Sequence, residues 1–213
     1  MDLSSQSSNK NMVTDLIKRA QRGDAKPFEV LVNMYQNRVF GLCVKLTGNR
    51  DDAEDLAQEV FIKAYHALDG FRLEADFGTW LHRIAVNMYL NMKKKNSRVI
   101  QVSLDEPIST GDGEVSREIA DQDAAGNPLA SLEEVEFRGM VRQALDQLSQ
   151  EHRSVLVLRD MEGYSYDEIA TLTQCSLGTV KSRINRARQA LRELISPELG
   201  VGIQNPESRI QKK

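Results

Sequence analysis

Apolar positions recur every three or four residues through two stretches of this chain, 12–97 and 131–195, and lose that rhythm between them. In the first stretch, turn-forming residues divide the rhythm into four segments. NMVTDLIKRAQRGD is amphipathic up to Gly23, and AKPFEVLVNMYQNRVFGLCVKLTGN begins with Pro27 near a first turn and stops at Gly48 and Asn49. DDAEDLAQEVFIKAYHALDGF opens with Asp51 and Glu54 at capping-box spacing and ends at Asp69 and Gly70. DFGTWLHRIAVNMYLNMKKK starts its helix near Thr79. The second stretch predicts four more helices. LEEVEFRGMVRQALDQL is followed by SQEHRSVLVLRDMEG, with Ser149 as its N-cap and Gly163 as its stop. SYDEIATLT carries Ser165 and Glu168 as a capping box, and SLGTVKSRINRARQALRELI is capped by Ser176. There are no strand hairpins and no repeat period. The predicted fold is all-α.

Between the two stretches, SLDEPISTGDGEVSREIADQDAAGNP is rich in acid, Gly, Ser and Pro, and is longer than a loop inside a compact domain. The expected organisation is two small helical domains joined by a long acidic flexible linker, the second domain ending in a helix-turn-helix. The boundaries are a disordered N-terminal tail at 1–11, a first domain at 12–97, the linker at 98–130, a second domain at 131–196 and a C-terminal tail at 197–213.

The last helix is the most informative. At about 100° per residue, Val180, Ile184, Ala187, Leu191, Leu194 and Ile195 share one stripe, while Lys181, Ser182, Asn185, Arg186 and Gln189 share the opposite one. A lone basic amphipathic helix is usually a solvated face or a membrane-surface segment. This one follows a short capped helix through the tight turn Gln174-Cys175-Ser176, which is the helix-turn-helix arrangement. Its outward residues include Ser182 and Asn185, which read base edges, and they lie in the half that major-groove docking uses. Lys181, Ser182, Asn185 and Arg186 are therefore the candidate base readers, with Arg183 and Arg188, at the sides, placed for phosphates.

In the fourth helix, Leu81, Ile84, Ala85, Met88 and Met92 form the expected core stripe, and Trp80, Arg83, Asn87, Asn91 and Lys94 track another side. An aromatic, a guanidinium and amides in line, ending in a lysine run, suit stacking on bases and following a backbone. Trp80 alone reads equally well as core, and the lysine run as a solvated helix end. The preceding loop, FRLEADF, has aromatics at both ends and is a place for an extruded base. The third helix buries Ala53, Leu56, Ala57, Val60 and Ala64 and leaves Asp55, Gln58, Glu59, Ile62 and Lys63 outside. An acidic outer face is not for DNA; from composition alone it faces solvent.

Composition narrows the class. The 213 residues are 40% hydrophobic and 28% charged with a net charge of −3, ordinary for a globular chain and against indiscriminate coating of nucleic acid. Charge is nevertheless in blocks. Ile169–Arg192 holds no acid, whereas Arg98 and Arg117 are the only bases set against the linker's many carboxylates. Cys43 and Cys175 fall in different domains, so a reducing cytoplasm is expected and a structural disulfide is not. The start MDLSSQSSNKN has no apolar run for a signal peptide, and no stretch is long enough for membrane insertion. His66, His82 and His152 are scattered without metal-ligand spacing, and no phosphate-cradling glycine loop or nucleophile elbow is present. No enzyme activity and no cofactor are expected. Cys175, at the helix-turn-helix corner, reads as a small buried hydrophobe ahead of a redox switch.

DAEDLAQEVFIKAY, then F…FGTWLHRIAVN, then GYSYDEIA…C…GTVKSRINRARQALR, in that order across a hydrophilic linker, resembles the extracytoplasmic-function sigma factors, the two-domain branch of the bacterial sigma-70 family. The resemblance covers about 12–195. It implies that the third helix binds the clamp coiled coil of core RNA polymerase through Asp55, Gln58, Glu59 and Ile62, which overrides the solvent reading. It implies that Phe71, Arg72, Phe77, Trp80, Arg83, Asn87 and Lys94 capture flipped bases of the −10 element and melt promoter DNA. It implies that the helix-turn-helix enters the −35 major groove with Thr179 beside the residues named above, and docks on the polymerase flap. An anti-sigma factor is the implied regulator. The family often has arginine where Lys181 stands. The alternative class is a stand-alone helix-turn-helix regulator, either a dimeric repressor or a response-regulator-like output domain.

Overall fold

The structure, a computed structural model, describes the backbone of residues 3–100 and 128–196, and the side chains of 10–92 and 134–196. Among the described residues there are eight α-helices and no strand. The first domain holds α1 (Leu3–Ala20), α2 (Ala25–Thr47), α3 (Arg50–Ala67) and α4 (Phe77–Ile100), with a short 3-10 turn at Leu68–Gly70. The second holds α5 (Pro128–Gln147), α6 (Gln150–Leu156), α7 (Tyr166–Thr173) and α8 (Leu177–Ile195). All eight expected helices are present.

Their ends follow local chemistry. Asp24 caps α2 by accepting from Lys26 N, and Gly48 stops it in the left-handed region at φ +76°. The cap of α3 is Asn49, not the expected Asp51: its side chain accepts from Asp51 N and Asp52 N. The two aspartates fall instead in the first turn, where carboxylates complement the helix dipole. Helix α1 begins at Leu3, so the expected tail at 1–11 is corrected to a polar extension of a helix anchored by Val13, Ile17 and Ala20. Such a polar turn carries no apolar period and left no mark in the pattern. Helices α4 and α5 each continue into the expected linker; its remainder, 101–127, and the tail at 197–213 lie outside the described residues.

Helix α6 is α-helical to Leu156, then widens into a π turn at Val157–Met161 closed by Glu162 N donating to Val157 O at 3.0 Å. Such widened turns re-aim the residues that follow them and recur at functional places. Here they turn Glu162 and Tyr164 toward the first domain.

The first core is built on Ile17, Leu31, Leu42, Leu46, Leu56, Val60 and Leu81, the second on Leu158, Ile169, Leu172, Val180 and Ile184, all at most 2% exposed. Each such side chain contributes about 1.5–3 kcal/mol by leaving water. The two cores form one continuous buried cluster. This contact changes the stripe of α4. Leu81 and Ala85 are buried as expected, Ile84 and Met88 are half-buried, and Met92 is exposed. His82, Val86 and Tyr89 are buried instead. The second domain seats against His82 and Tyr89, a partner that a periodicity read within one domain does not include.

Candidate nucleic-acid interface

The short helix α7 starts at a full capping box: Ser165 Oγ accepts from Glu168 N, and the Glu168 carboxylate accepts from Ser165 N at 2.8 Å. It ends with Gln174 in the left-handed region, φ +55°. Ser176 then caps α8, accepting from Thr179 N at 3.1 Å. The turn is therefore held on the α7 side by Cys175 N donating to Ala170 O at 3.0 Å and on the α8 side by the Ser176 cap. Val180, Ile184 and Ala187 dock α8 into the domain, and Lys181, Ser182, Asn185 and Arg186 stand exposed together on the opposite side. Thr179 is half-buried, its hydroxyl 2.8 Å from Ser176 Oγ.

The flanking arginines, expected as phosphate contacts, each hold a partner within the chain. Arg183 donates to Cys175 Sγ at 3.1 Å and pairs with Glu151 at 2.9 Å. Arg188 makes a two-pronged contact with Asp160, at 2.5 and 3.3 Å. Arg188 and Asp160 are both roughly half exposed, so the pair is worth no more than about 1 kcal/mol, and a phosphate oxygen competes with it. Sequence reasoning missed these two carboxylates because neither is near α8 in the chain.

The loop before α4 is held from below. Gln21 donates from Nε2 to both Leu68 O and Phe71 O, each at 2.9 Å. Asp76 caps the helix by accepting from Thr79 N at 3.1 Å. Leu73 sits at φ +59°, unusual for a side chain of its size. Phe71, Phe77 and Trp80 form an aromatic cluster with centroids 4.8–5.7 Å apart, extended by Tyr35 against Phe77 at 5.3 Å. Phe71 and Phe77 are 7% and 2% exposed. Their rings, expected as base contacts, are buried and form the floor that holds the loop. Trp80 is half-buried in the same cluster. Arg72, Glu74, Ala75 and Asp76 form the exposed tip, Arg83 and Asn91 are exposed along α4, and Asn87 is half-buried. Lys94 lies in α4 beyond the described side chains.

On α3 the expected buried stripe is buried, and Asp55, Gln58, Glu59 and Ile62 face outward. Ile62 is 59% exposed, and exposed Tyr65 lies nearby with its ring 5.1 Å from Phe28. This face thus combines acidic groups with exposed aliphatic and aromatic ones.

The remaining reactive groups are structural. Burial pushes the Cys43 thiol up to about 12. His82 is fully buried on Tyr164, and no cluster of three His, Cys, Asp or Glu side chains suited to a metal occurs among the described residues. No helix of the described residues is long and apolar enough to cross a membrane.

A capped helix-turn-helix domain follows a first helical domain in the order that the sigma-70 family uses, and two family models match in that order. The family model for Sigma-70 region 2 matches residues 31–99, and that for Sigma-70 region 4 matches residues 138–191. The chain is 40% identical over 191 residues to the RNA polymerase sigma-H factor of Pseudomonas aeruginosa, covering 86% of this chain and 94% of that one. It is 38% identical over 185 residues to the ECF RNA polymerase sigma-E factor of Escherichia coli K12, covering 85% and 93%. A solved structure of the sigma factor RpoE from Bartonella quintana with the anti-sigma factor NepR is similar at a TM-score of 0.58 and 26% identity, over 80% of this chain and 98% of that one. The chain belongs to the extracytoplasmic-function sigma factors. Its function is accordingly that of an alternative sigma factor, which binds core RNA polymerase and directs initiation at particular promoters; the stand-alone regulator reading is not favoured.

Proposed function

We propose that the two surfaces divide promoter recognition between them. Helix α8 reads the −35 duplex through Lys181, Ser182, Asn185 and Arg186, with Thr179 at the groove entrance and Arg183 and Arg188 moving from their carboxylates to phosphates. Each good bidentate base contact supplies roughly 1–3 kcal/mol of discrimination. The exposed loop tip at Arg72 and the α4 edge of Trp80, Arg83, Asn87 and Lys94 receive single-stranded −10 bases, with Phe71 and Phe77 as supports. Strand opening then draws on differential binding, because unstacked bases regain contacts on this edge that paired bases do not make.

Asp55, Gln58, Glu59 and Ile62 bind the polymerase clamp coiled coil, and the second domain docks on the flap. An anti-sigma protein competes for these surfaces in the cytoplasm. The observation that carries this reading is the joint exposure of four polar groups on α8 opposite the buried Val180, Ile184 and Ala187. Runoff transcription with purified core polymerase over a panel of −35 variants tests it. Arg186→Ala should relax selectivity at one base position; uniform weakening on every sequence would remove Arg186 from the readers.

A further inference from the structure

The loop between α3 and α4 is clamped at both ends, and one clamp comes from a side chain outside the base-reading set. Gln21 follows the last turn of α1, where its backbone N–H donates to Ile17 O at 2.9 Å. Its half-buried side chain reaches under the loop and donates from Nε2 to Leu68 O and to Phe71 O, each at 2.9 Å. Both partners are backbone carbonyls, which only accept, so the fit needs two N–H bonds on one nitrogen. A primary amide supplies them, whereas a carboxylate of the same outline would set lone pairs against lone pairs. Leu68 O also accepts from Phe71 N at 3.0 Å, so the amide braces the turn by which the chain leaves α3. At the other end Asp76 caps α4, and Gly78 lets α2 come close: a Cβ there would lie 3.1 Å from both Tyr35 Cε1 and the Arg38 guanidinium. Between the clamps Leu73 keeps φ +59° with its side chain packed on the core. A bulky residue holds that backbone only where its surroundings fix it. The tip at Arg72, Glu74 and Ala75 is thus presented from a fixed frame.

We propose that Gln21 is a positioning residue for −10 readout: by fixing Leu68 O and Phe71 O it sets the height and angle at which the loop tip meets an unpaired base, and so how sharply that base is discriminated, without touching DNA. This rests on the assignment of the loop and the α4 edge to the −10 strand. A flipped base is told from the other three by hydrogen bonds, which weaken steeply as they bend. A misplacement of about 1 Å in a positioning group costs up to roughly a hundredfold. Without the amide, Phe71 O loses the donor that holds it, while the buried Phe71 ring still packs on Phe77 and Trp80. The loop then stays in place as a whole, and its tip gains the freedom to meet several bases about equally. Discrimination is lost before binding is.

A ratio of products, rather than a yield, tests this. Full-length wild type, Gln21→Met, Gln21→Glu and a tip variant carrying Arg72→Ala with Glu74→Ala each direct runoff transcription by core polymerase. One pool of templates carries every base at every −10 position, and a second pool is varied at −35. Templates compete within one tube, so the folded fraction of a variant cancels. Melts of the helical signal identify a chain that does not fold, and either Gln21 variant then serves for the other. At one −10 position the preference for the best base should fall roughly tenfold in Gln21→Met and at least as far in Gln21→Glu, with −35 preferences unchanged. Unchanged −10 preferences in both Gln21 variants, alongside a loss in the tip variant, overturn the positioning role and leave the −10 assignment standing. Equal flattening of −10 and −35 preferences also overturns it, because that marks a general fault of the fold. Unchanged −10 preferences in all three variants remove the −10 assignment of the loop, and the positioning role with it.

Discussion

Acidification should loosen the molecule through one side chain, His82. Its ring is fully buried, and its Nε2 has no hydrogen-bond partner. Burial is the largest cause that lowers its pKa to about 4, with Arg38 and Lys45 adding to the effect and Glu162 and Asp76 opposing it; Tyr164 is its direct partner. Once exposed, the ring returns to about 6.5. Above that value it is neutral in both states and contributes nothing to the balance. As pH falls from about 6.5 towards 4, the exposed form binds a proton that the buried form refuses, so stability is lost across that window. At pH 5 the linkage amounts to about 2 kcal/mol, roughly thirtyfold in an equilibrium constant. Guanidinium unfolding at pH 7.5 and pH 5 measures it in wild type and in His82→Gln, which keeps a polar group but does not titrate. Wild type should lose about 2 kcal/mol more than the variant between the two conditions. An equal loss in both chains would refute the assignment to His82.

Three further outcomes follow from side chains described above. Arg188→Ala removes one proposed phosphate contact, so the logarithmic salt slope of DNA binding by the polymerase complex in gel shifts should become shallower by about 0.9; an unchanged slope would mean Arg188 never reaches a phosphate. Iodoacetamide at neutral pH should modify half-buried Cys175 while buried Cys43, pushed up to about 12, reacts only on unfolding, as read by peptide mass. Ser165→Ala removes one arm of the α7 capping box and should lower stability by about 0.5–2 kcal/mol in denaturant melts, with weaker −35 binding to match.

The sequence reading succeeded where a signal is local. Gly48, Ser149, Ser165 and Ser176 end or begin helices through bonds made within a few residues, so their positions alone carry the information. The α8 stripe was legible for the same reason, since its docking partners and its exposed face both follow a 3.6-residue period. What was missed depends on distant contacts. Gln21 supports the −10 loop from about fifty residues away, and Asp160 reaches Arg188 across the turn of the second domain. Phe71 and Phe77 looked available because a loop composition does not show that three aromatic rings close on one another. His82, Val86 and Tyr89 were assigned no core role because the pattern of α4 was matched to one neighbour, and the folded chain gives that helix two.

The most direct measurement is a distance between the domains, before and after polymerase. Dyes placed at Gln36→Cys on α2 and Gln143→Cys on α5, both exposed positions, in a Cys175→Ser background, report it by energy transfer. High transfer in the free chain, falling sharply on addition of core polymerase and promoter DNA, is the predicted result. Transfer that stays unchanged while transcripts are being made would contradict the account, because it would mean that promoters are read without the two domains parting.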